Sequence, residues 1–224
     1  MAYKIVALMG KAGAGKDAVL THLPLAAPAF HEIISCTTRP PREGEKDGVN
    51  YHFLSHDDFA EQINSGKMLE VAIFRGWCYG TSIDNLSKDK INIGVFNPTG
   101  VATLMDMGED LVDLLPIYIT ASDKTRLLRQ LNREEHPDVK EIVRRYGTDE
   151  DDFSDITVAP TGMSCVKEGY EDSSILIVDN EILPLEHTVQ TVLDIVCDWA
   201  KLDKSSIVNS IYSDTTERSP IYDS

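Results

Sequence analysis

Ile5-Val6-Ala7-Leu8-Met9 runs straight into Gly10-Lys11-Ala12-Gly13-Ala14-Gly15-Lys16-Asp17, and this junction decides the fold. The apolar run predicts a buried strand over 4–9, and the residues after Ala14 predict a helix over 15–23. Between them stands G-x-x-x-x-G-K, a phosphate-binding loop. Small residues let successive backbone N–H groups curl around a polyphosphate, and the positive end of the next helix faces the same anion. Lys16 is placed to reach the terminal phosphates, where charge moves during transfer. Gly10, Lys11, Ala12, Gly13, Ala14, Gly15, Lys16 and Asp17 are therefore the expected ATP-binding residues. One position departs from the pattern. A Ser or Thr hydroxyl normally follows the lysine as a ligand for Mg²⁺, and Asp17 stands there instead, as the candidate metal ligand.

A second segment narrows the chemistry: Ser35-Cys36-Thr37-Thr38-Arg39-Pro40-Pro41-Arg42-Glu43-Gly44-Glu45-Lys46-Asp47-Gly48-Val49-Asn50-Tyr51-His52-Phe53. Arg39 and Arg42 flank a Pro-Pro pair that holds the backbone extended. Guanidinium forks grip phosphate oxygens bidentately, and a stiff backbone lowers the entropic cost of aiming them. The chain so carries one anion site for a polyphosphate and another for a single phosphate, the layout of a phosphoryl transferase with a phosphorylated acceptor. Surface pairing of these arginines with Glu43, Glu45 and Asp47 is the plainer alternative.

The run T-T-R-P-P-R-x-G-E-x-D-G-x-x-Y-x-F at 37–53, then Ser55-His56-Asp57-Asp58-Phe59, Leu69-Glu70 and Tyr79-Gly80-Thr81-Ser82, closely resembles the guanylate kinase family over about residues 3–150, and more weakly over 173–200. The resemblance implies an α/β P-loop kinase fold: a central parallel sheet flanked by helices, an inserted monophosphate-binding lobe and a helical lid. It implies ATP-dependent phosphorylation of GMP or dGMP, with Mg²⁺ as cofactor and ATP as co-substrate. By the same resemblance Arg39, Arg42, Tyr51 and Tyr79 hold the acceptor phosphate, and Ser35, Glu70 and Thr81 read the guanine. A carboxylate at Glu70 suits guanine, which offers N1–H and an exocyclic amine together, whereas adenine has no N1–H. Of the lid cations, Arg133, Arg144 and Arg145 are the catalytic candidates with Lys16, Arg145 or its neighbour Arg144 ranking above Arg133 and Arg129. The family's R-G-R-G turn is replaced here by Asn132-Arg133-Glu134-Glu135-His136-Pro137.

A further departure lies in Val95-Phe96-Asn97-Pro98-Thr99-Gly100, where the family has D-x-D-x-Q-G. Asn97 replaces the second aspartate, which would contact the nucleotide. Asp17 and Asn97 together resemble ribose 1,5-bisphosphate kinase, a relative of the same fold that lacks the arginine loop and the base-reading acid. That sugar-phosphate kinase, and a non-catalytic guanylate-kinase-like binding module, are the competing readings.

The 224 residues are 42% apolar with net charge −16. One core and a small appended lobe fit this size. The acidic balance argues against nucleic-acid and anionic-membrane partners. Cys36, Cys78, Cys165 and Cys197 lie far apart, which suits reduced thiols in a cytoplasmic protein, and the six histidines show no ligand spacing. No signal pattern or membrane span is expected; the protein is expected as a monomer or homodimer.

Alternating patterns predict strands over 4–9, 32–36, 92–97, 116–120 and 174–178, and helices over 15–23, 56–65, 83–89, 99–106, 122–146 and 185–201. The expected organisation is a kinase-like domain over 1–202 (core 1–35, 91–121 and 151–202; monophosphate lobe 36–90; lid 122–150) and a polar tail over 203–224 without packed structure. Residues 154–172, with Pro160, Gly162 and Gly169, read as irregular.

Overall fold

β1 (Tyr3–Met9) is buried on both faces, as its unbroken apolar run demands, because parallel strands flank it on each side. The computed structural model describes residues 2–205 and 207, apart from 24, 26, 43, 134, 155, 159–162, 167–173, 182 and 183. The helix after the glycine loop is α1 (Lys16–His22), and the chain continues through β2 (Phe30–Glu32), β3 (Cys36–Thr37), β4 (His52–Phe53), α2 (His56–Asn64), β5 (Met68–Phe74) and β6 (Trp77–Ser82). β7 (Ile91–Val95), α3 (Pro98–Asp106), β8 (Val112–Thr120), α4 (Asp123–Leu131) and α5 (Val139–Asp152) follow. β9 (Ile156–Val158), β10 (Met163–Val166), β11 (Ser174–Asp179) and α6 (Leu185–Ala200) complete it.

The main sheet has the order β2-β7-β1-β8-β11-β10-β9. Its first five strands are parallel, and β10 and β9 are antiparallel additions at one edge. A smaller sheet, β4-β3-β6-β5, stands apart from it. Alternate residues of β1 feed two cores. Val6 and Leu8 pack with Ile117, Val19 of α1 and Val192 of α6, while Ile5, Ala7 and Met9 pack with Tyr118, Leu104 of α3 and Phe153. Helices on both faces thus account for the parallel sheet, as predicted. Among the described residues no helix is long and apolar enough to cross a membrane.

Several boundaries differ from the sequence reading, each for a local reason. The predicted strand 32–36 is divided between β2 and β3, which belong to different sheets, so the chain changes layer there. The predicted helix 83–89 is only a 3₁₀ turn, Ile83–Asn85. Buried Asn92 accepts from Ser87 N at 2.7 Å and donates to Ser87 O at 2.8 Å, taking the backbone groups a helix would have needed. The run 122–146 divides into α4 and α5, because Pro137 cannot continue a helix and Asp138 restarts one by accepting from Glu141 N at 3.1 Å. Residues 154–172 are not wholly irregular: β9 and β10 form a hairpin, Cys165 opposite Thr157, that extends the sheet beside β11. Pro160, Gly162 and Gly169 lie outside the described residues. Ile207, assigned to an unpacked tail, is buried in the core beside α6; residues 206 and 208–224 lie outside the described residues.

Candidate active site

The glycine loop joins the C-terminal end of β1 to α1. Gly13 has φ +82°, and a Cβ there would sit 2.4 Å from the Arg126 carbonyl oxygen, so only glycine lets the loop pass under α4. The first turn of α1 has no side-chain cap, which leaves its N–H groups available to an anion. Lys16 Nζ lies 3.1 Å from Asp17 Oδ2, and the Asp17 side chain is 79% exposed.

The small sheet carries the second set of groups. Arg39, buried, meets Glu45 through two hydrogen bonds of 2.9 Å each, and Glu45 also accepts from Arg42 N at 2.6 Å. These two arginines hold the Glu45 carboxyl down to about 2. The Arg39 guanidinium lies 5.4 Å from the centre of the Tyr51 ring, and Tyr51 meets Tyr79 edge-on at 6.1 Å. The Arg39 guanidinium is thus paired with Glu45, one of the acids that the plainer reading of this loop named.

Glu70 is 8% exposed. β5–β6 pairing sets it opposite Thr81. Burial pushes its carboxyl above the ordinary value, opposed by the neighbouring Thr81. α3 closes over it: a Cβ at Gly100 would lie 3.1 Å from Glu70 Oε2 and 3.1 Å from Asn97 Oδ1. Asn97 caps α3, its Oδ1 accepting from Gly100 N at 2.7 Å, so the amide nitrogen is what it has left to offer the cleft.

α4 and α5 cover the glycine loop with charge that the sequence reading did not place. Arg126, 2% exposed, donates from Nε to Ala12 O at 3.2 Å and pairs with Asp123, Asp149 and Glu150. Asp149 Oδ2 accepts from Ala12 N at 2.6 Å, and Glu150 Oε1 accepts from Lys11 Nζ at 2.7 Å. Carboxylates of α5 thus hold the near side of the loop. Burial raises the carboxyl of Asp152, with Asp149 and Asp151 adding to the rise.

One cleft of about 450 Å³ collects Gly10, Ala12, Lys16, Ser35, Arg39, Arg42, Tyr51, Glu70, Tyr79, Asn97 and Arg145. The other expected residues do not line it. Lys11 is held by Glu150, Thr81 is fully buried behind Glu70, and the Asp17 side chain faces solvent. Gly13, Ala14 and Gly15 sit within the loop itself, their carbonyls or Cα positions packed on Arg126, Arg129 and Asn180. Arg133 is exposed and borders a second hollow with Pro137 and Ile142, which Arg145 lines as well as the cleft. Arg144 is committed elsewhere, with Nε and Nη2 on Glu141 at 2.9 and 3.1 Å and Nη1 on Thr148. Of these two neighbours, Arg145 lines the cleft and Arg144 does not.

Asp149, Asp152 and Phe153 also line the cleft. The signal for them was the acidic run 149–152, which reads as a solvated face until α5 is docked. Among the described residues no group of three or more His, Cys, Asp or Glu side chains could hold a metal ion. Cys36, Cys78 and Cys197 are free thiols.

The model of the family described as guanylate kinase matches residues 2–159. Guanylate kinase from Frankia casuarinae is 43% identical over 77 residues, which is 34% of this chain and 42% of that protein. The Shouchella clausii guanylate kinase is 44% identical over 90 residues, 40% of this chain and 43% of that protein, so both alignments span less than half of the relative. Guanylate kinase from Prochlorococcus marinus is 35% identical over 130 residues, 57% of this chain and 70% of that protein. The crystal structure of guanylate kinase from Anaplasma phagocytophilum superposes with a TM-score of 0.55 at 18% identity, over 92% of this chain and 90% of that one, which shows a shared fold.

Proposed function

The chain belongs to the guanylate kinase family, and from that premise we propose that it transfers the terminal phosphoryl group of ATP to GMP or dGMP, giving ADP and the nucleoside diphosphate. The observation that carries this reading is the content of the cleft. Lys16 of the glycine loop stands in it together with Arg39, Tyr51 and Tyr79 of the small sheet and the buried carboxylate of Glu70. A donor polyphosphate and an acceptor monophosphate so have separate seats facing one space.

In the proposed reaction an oxygen of the acceptor phosphate forms the new bond to the γ-phosphorus as the bond to the bridging oxygen of ADP breaks. That oxygen is already ionised near neutral pH, so the protein need not supply a strong base. Its work is positioning and charge stabilisation. Lys16 and Arg145 are the cations proposed to follow the charge as it moves to the leaving group. Arg39, Arg42, Tyr51 and Tyr79 anchor the acceptor phosphate, Arg39 exchanging its Glu45 partner for phosphate oxygens. Glu70, with Ser35 and Thr81 beside it, takes the two guanine donors.

Mg²⁺ would neutralise the β- and γ-oxygens of ATP. It is commonly held by one or two carboxylates plus substrate phosphates, and Asp17, next to Lys16 and exposed, fits that modest requirement. The division proposed is core, monophosphate lobe (36–90) and lid (122–150). A sugar-bisphosphate acceptor has no base whose paired N–H donors would explain a buried carboxylate at Glu70, and a binding module would not need an uncapped α1 with Lys16 in the cleft. The test is ADP release with a panel of NMPs, dNMPs and ribose 1,5-bisphosphate. Preference for GMP or dGMP is expected; turnover of the sugar bisphosphate instead would replace this reading.

A further inference from the structure

We propose that Glu141, tied across the mouth of the cleft to Arg75, is a positioning residue that aims Arg145 at the transferred phosphoryl group, so that closing the acceptor lobe sets the transfer cation. The inference rests on the phosphoryl-transfer reading above and adds to it two residues that neither the sequence pattern nor the comparisons assign.

Arg75 occupies the tip of the β5–β6 hairpin, 66 residues from Glu141 in α5, and the two side chains are ion-paired. Arg75 has φ +55° and Gly76 φ +79°, the backbone of a two-residue hairpin turn, which projects the Arg75 side chain from the tip. Two contacts converge on that side chain. The guanidinium reaches Glu141, and it also lies 5.7 Å from the centre of the Phe74 ring. The same ring receives Arg144 of α5 at 5.4 Å, so Phe74 is a platform shared by both sides of the mouth.

Glu141 is the hub of this arrangement. Oε2 accepts from Arg75 and from Arg144 Nε at 2.9 Å, while Oε1 accepts from Arg144 Nη2 at 3.1 Å and from Arg145 Nε at 2.9 Å. Three guanidinium groups on one carboxylate hold it well below the usual carboxylate range, Arg144 foremost. Among the described residues Arg145 is hydrogen-bonded through Nε, to Glu141. Among the described residues its two terminal nitrogens have no hydrogen-bond partner, and the residue lines the cleft. A guanidinium fixed at Nε presents its outer pair of N–H groups in the geometry that takes two oxygens of one phosphate.

An isolated surface ion pair contributes little, with a median near zero to about 1 kcal/mol. Glu141 differs from such a pair on three counts. Its side chain is 21% exposed, it joins two lobes, and one of its partners stands in the reaction space. Breaking the Arg75 contact leaves Arg145 attached to Glu141 but removes the lobe-to-lobe restraint that holds Glu141 in place. Small misplacements of a catalytic group are costly: about 1 Å can lose roughly a hundredfold in rate.

The experiment uses the full chain with GMP and ATP, wild type first. If the wild type forms no ADP with any monophosphate, the kinase reading fails and the variants are not needed to show it. Given activity, Arg75→Ala is expected to lower kcat about tenfold, with KM for GMP within about twofold, because Arg75 does not line the cleft. Arg75→Lys, which keeps the charge, is expected to recover most of the loss. Glu141→Gln should lower kcat at least as much, and the double variant Arg75→Ala/Glu141→Gln should be no worse than Glu141→Gln alone. Circular dichroism melts of the variants separate this from unfolding. Wild-type kcat in Arg75→Ala, a rise in KM without a fall in kcat, no recovery with lysine, or losses that multiply in the double variant would each overturn the proposal.

Discussion

Glu70→Gln separates base recognition from mere occupancy of the cleft. The side chain is 8% exposed, faces Thr81 across the β5–β6 pair, and has no cation against it among the described ion pairs. As a carboxylate it can accept from both guanine donors. As an amide it offers one acceptor and turns an N–H₂ toward the other donor, leaving two buried donors opposed. Such a mismatch costs about 1–3 kcal/mol, or roughly 10- to 200-fold in selectivity. The ratio of kcat/KM for GMP to that for AMP should fall by that factor, chiefly through GMP.

The same substitution has an opposite effect on the empty protein. Burial raises the Glu70 carboxyl above its ordinary 4.5, so ionising it costs more in the folded chain than in the unfolded one. Above the raised folded value both states are ionised and the folded protein carries the whole cost. As pH falls through the raised folded value toward 4.5 the cost fades, because the folded state takes up its proton first. Glu70→Gln should therefore raise Tm at pH 7, and the difference from wild type should shrink toward pH 4.5. Guanine selectivity of the wild type should decline on acidification earlier than an ordinary carboxylate would dictate. Steady-state kinetics with GMP and AMP, plus calorimetric melts from pH 4.5 to 8, measure both. An unchanged GMP-to-AMP ratio, or a variant less stable at pH 7 than wild type, would refute the reasoning.

The other predictions concern the donor side. Lys16→Ala should lower kcat by about a hundredfold or more while GMP affinity measured calorimetrically stays within about twofold, since the lysine serves the donor phosphates; near-normal turnover would count against the loop's role. Asp149→Asn weakens the acceptor that holds Ala12 N and removes a negative charge a donor phosphate must displace, so KM for ATP should fall about two- to fivefold. A KM for ATP that rises or stays put would show that the contact serves only the docking of α5. Asp17→Ser should flatten the dependence of ATP affinity on Mg²⁺, and coincident titrations of the two proteins would place Asp17 away from the cation. Gly100→Ala sets a methyl 3.1 Å from both Glu70 Oε2 and Asn97 Oδ1, and should raise KM for GMP without altering KM for ATP, each read from initial rates.

Much of the site was legible in the chain because its motifs act locally. The glycine loop needs only its own backbone and the next helix, and Arg39-Pro40-Pro41-Arg42 stiffens itself, so both could be read without knowing what packs on them. Glu70 was readable only through resemblance; nothing in Leu69-Glu70 announces a buried carboxylate. The helix boundaries that failed did so where a distant or intervening side chain took over. Asn92 claims the backbone of Ser87, and Pro137 with Asp138 cuts the charged run 122–146 in two.

The sequence by itself determined the strand–glycine loop–helix, the stiffened arginine loop, and the alternation that builds a parallel sheet. These are short-range matters of backbone freedom, residue size and periodicity. Only the tertiary structure decided which charges meet. Arg126 reads as one more solvated helix cation and is instead buried over the loop at Ala12. Arg144 and Arg145 are indistinguishable as neighbours, yet the turn of α5 commits the first to Glu141 and Thr148 and sets the second in the cleft lining. A side chain's charge is written in its own residue; whether that charge is paired, buried or free depends on elements dozens of residues away, and only packing brings those together.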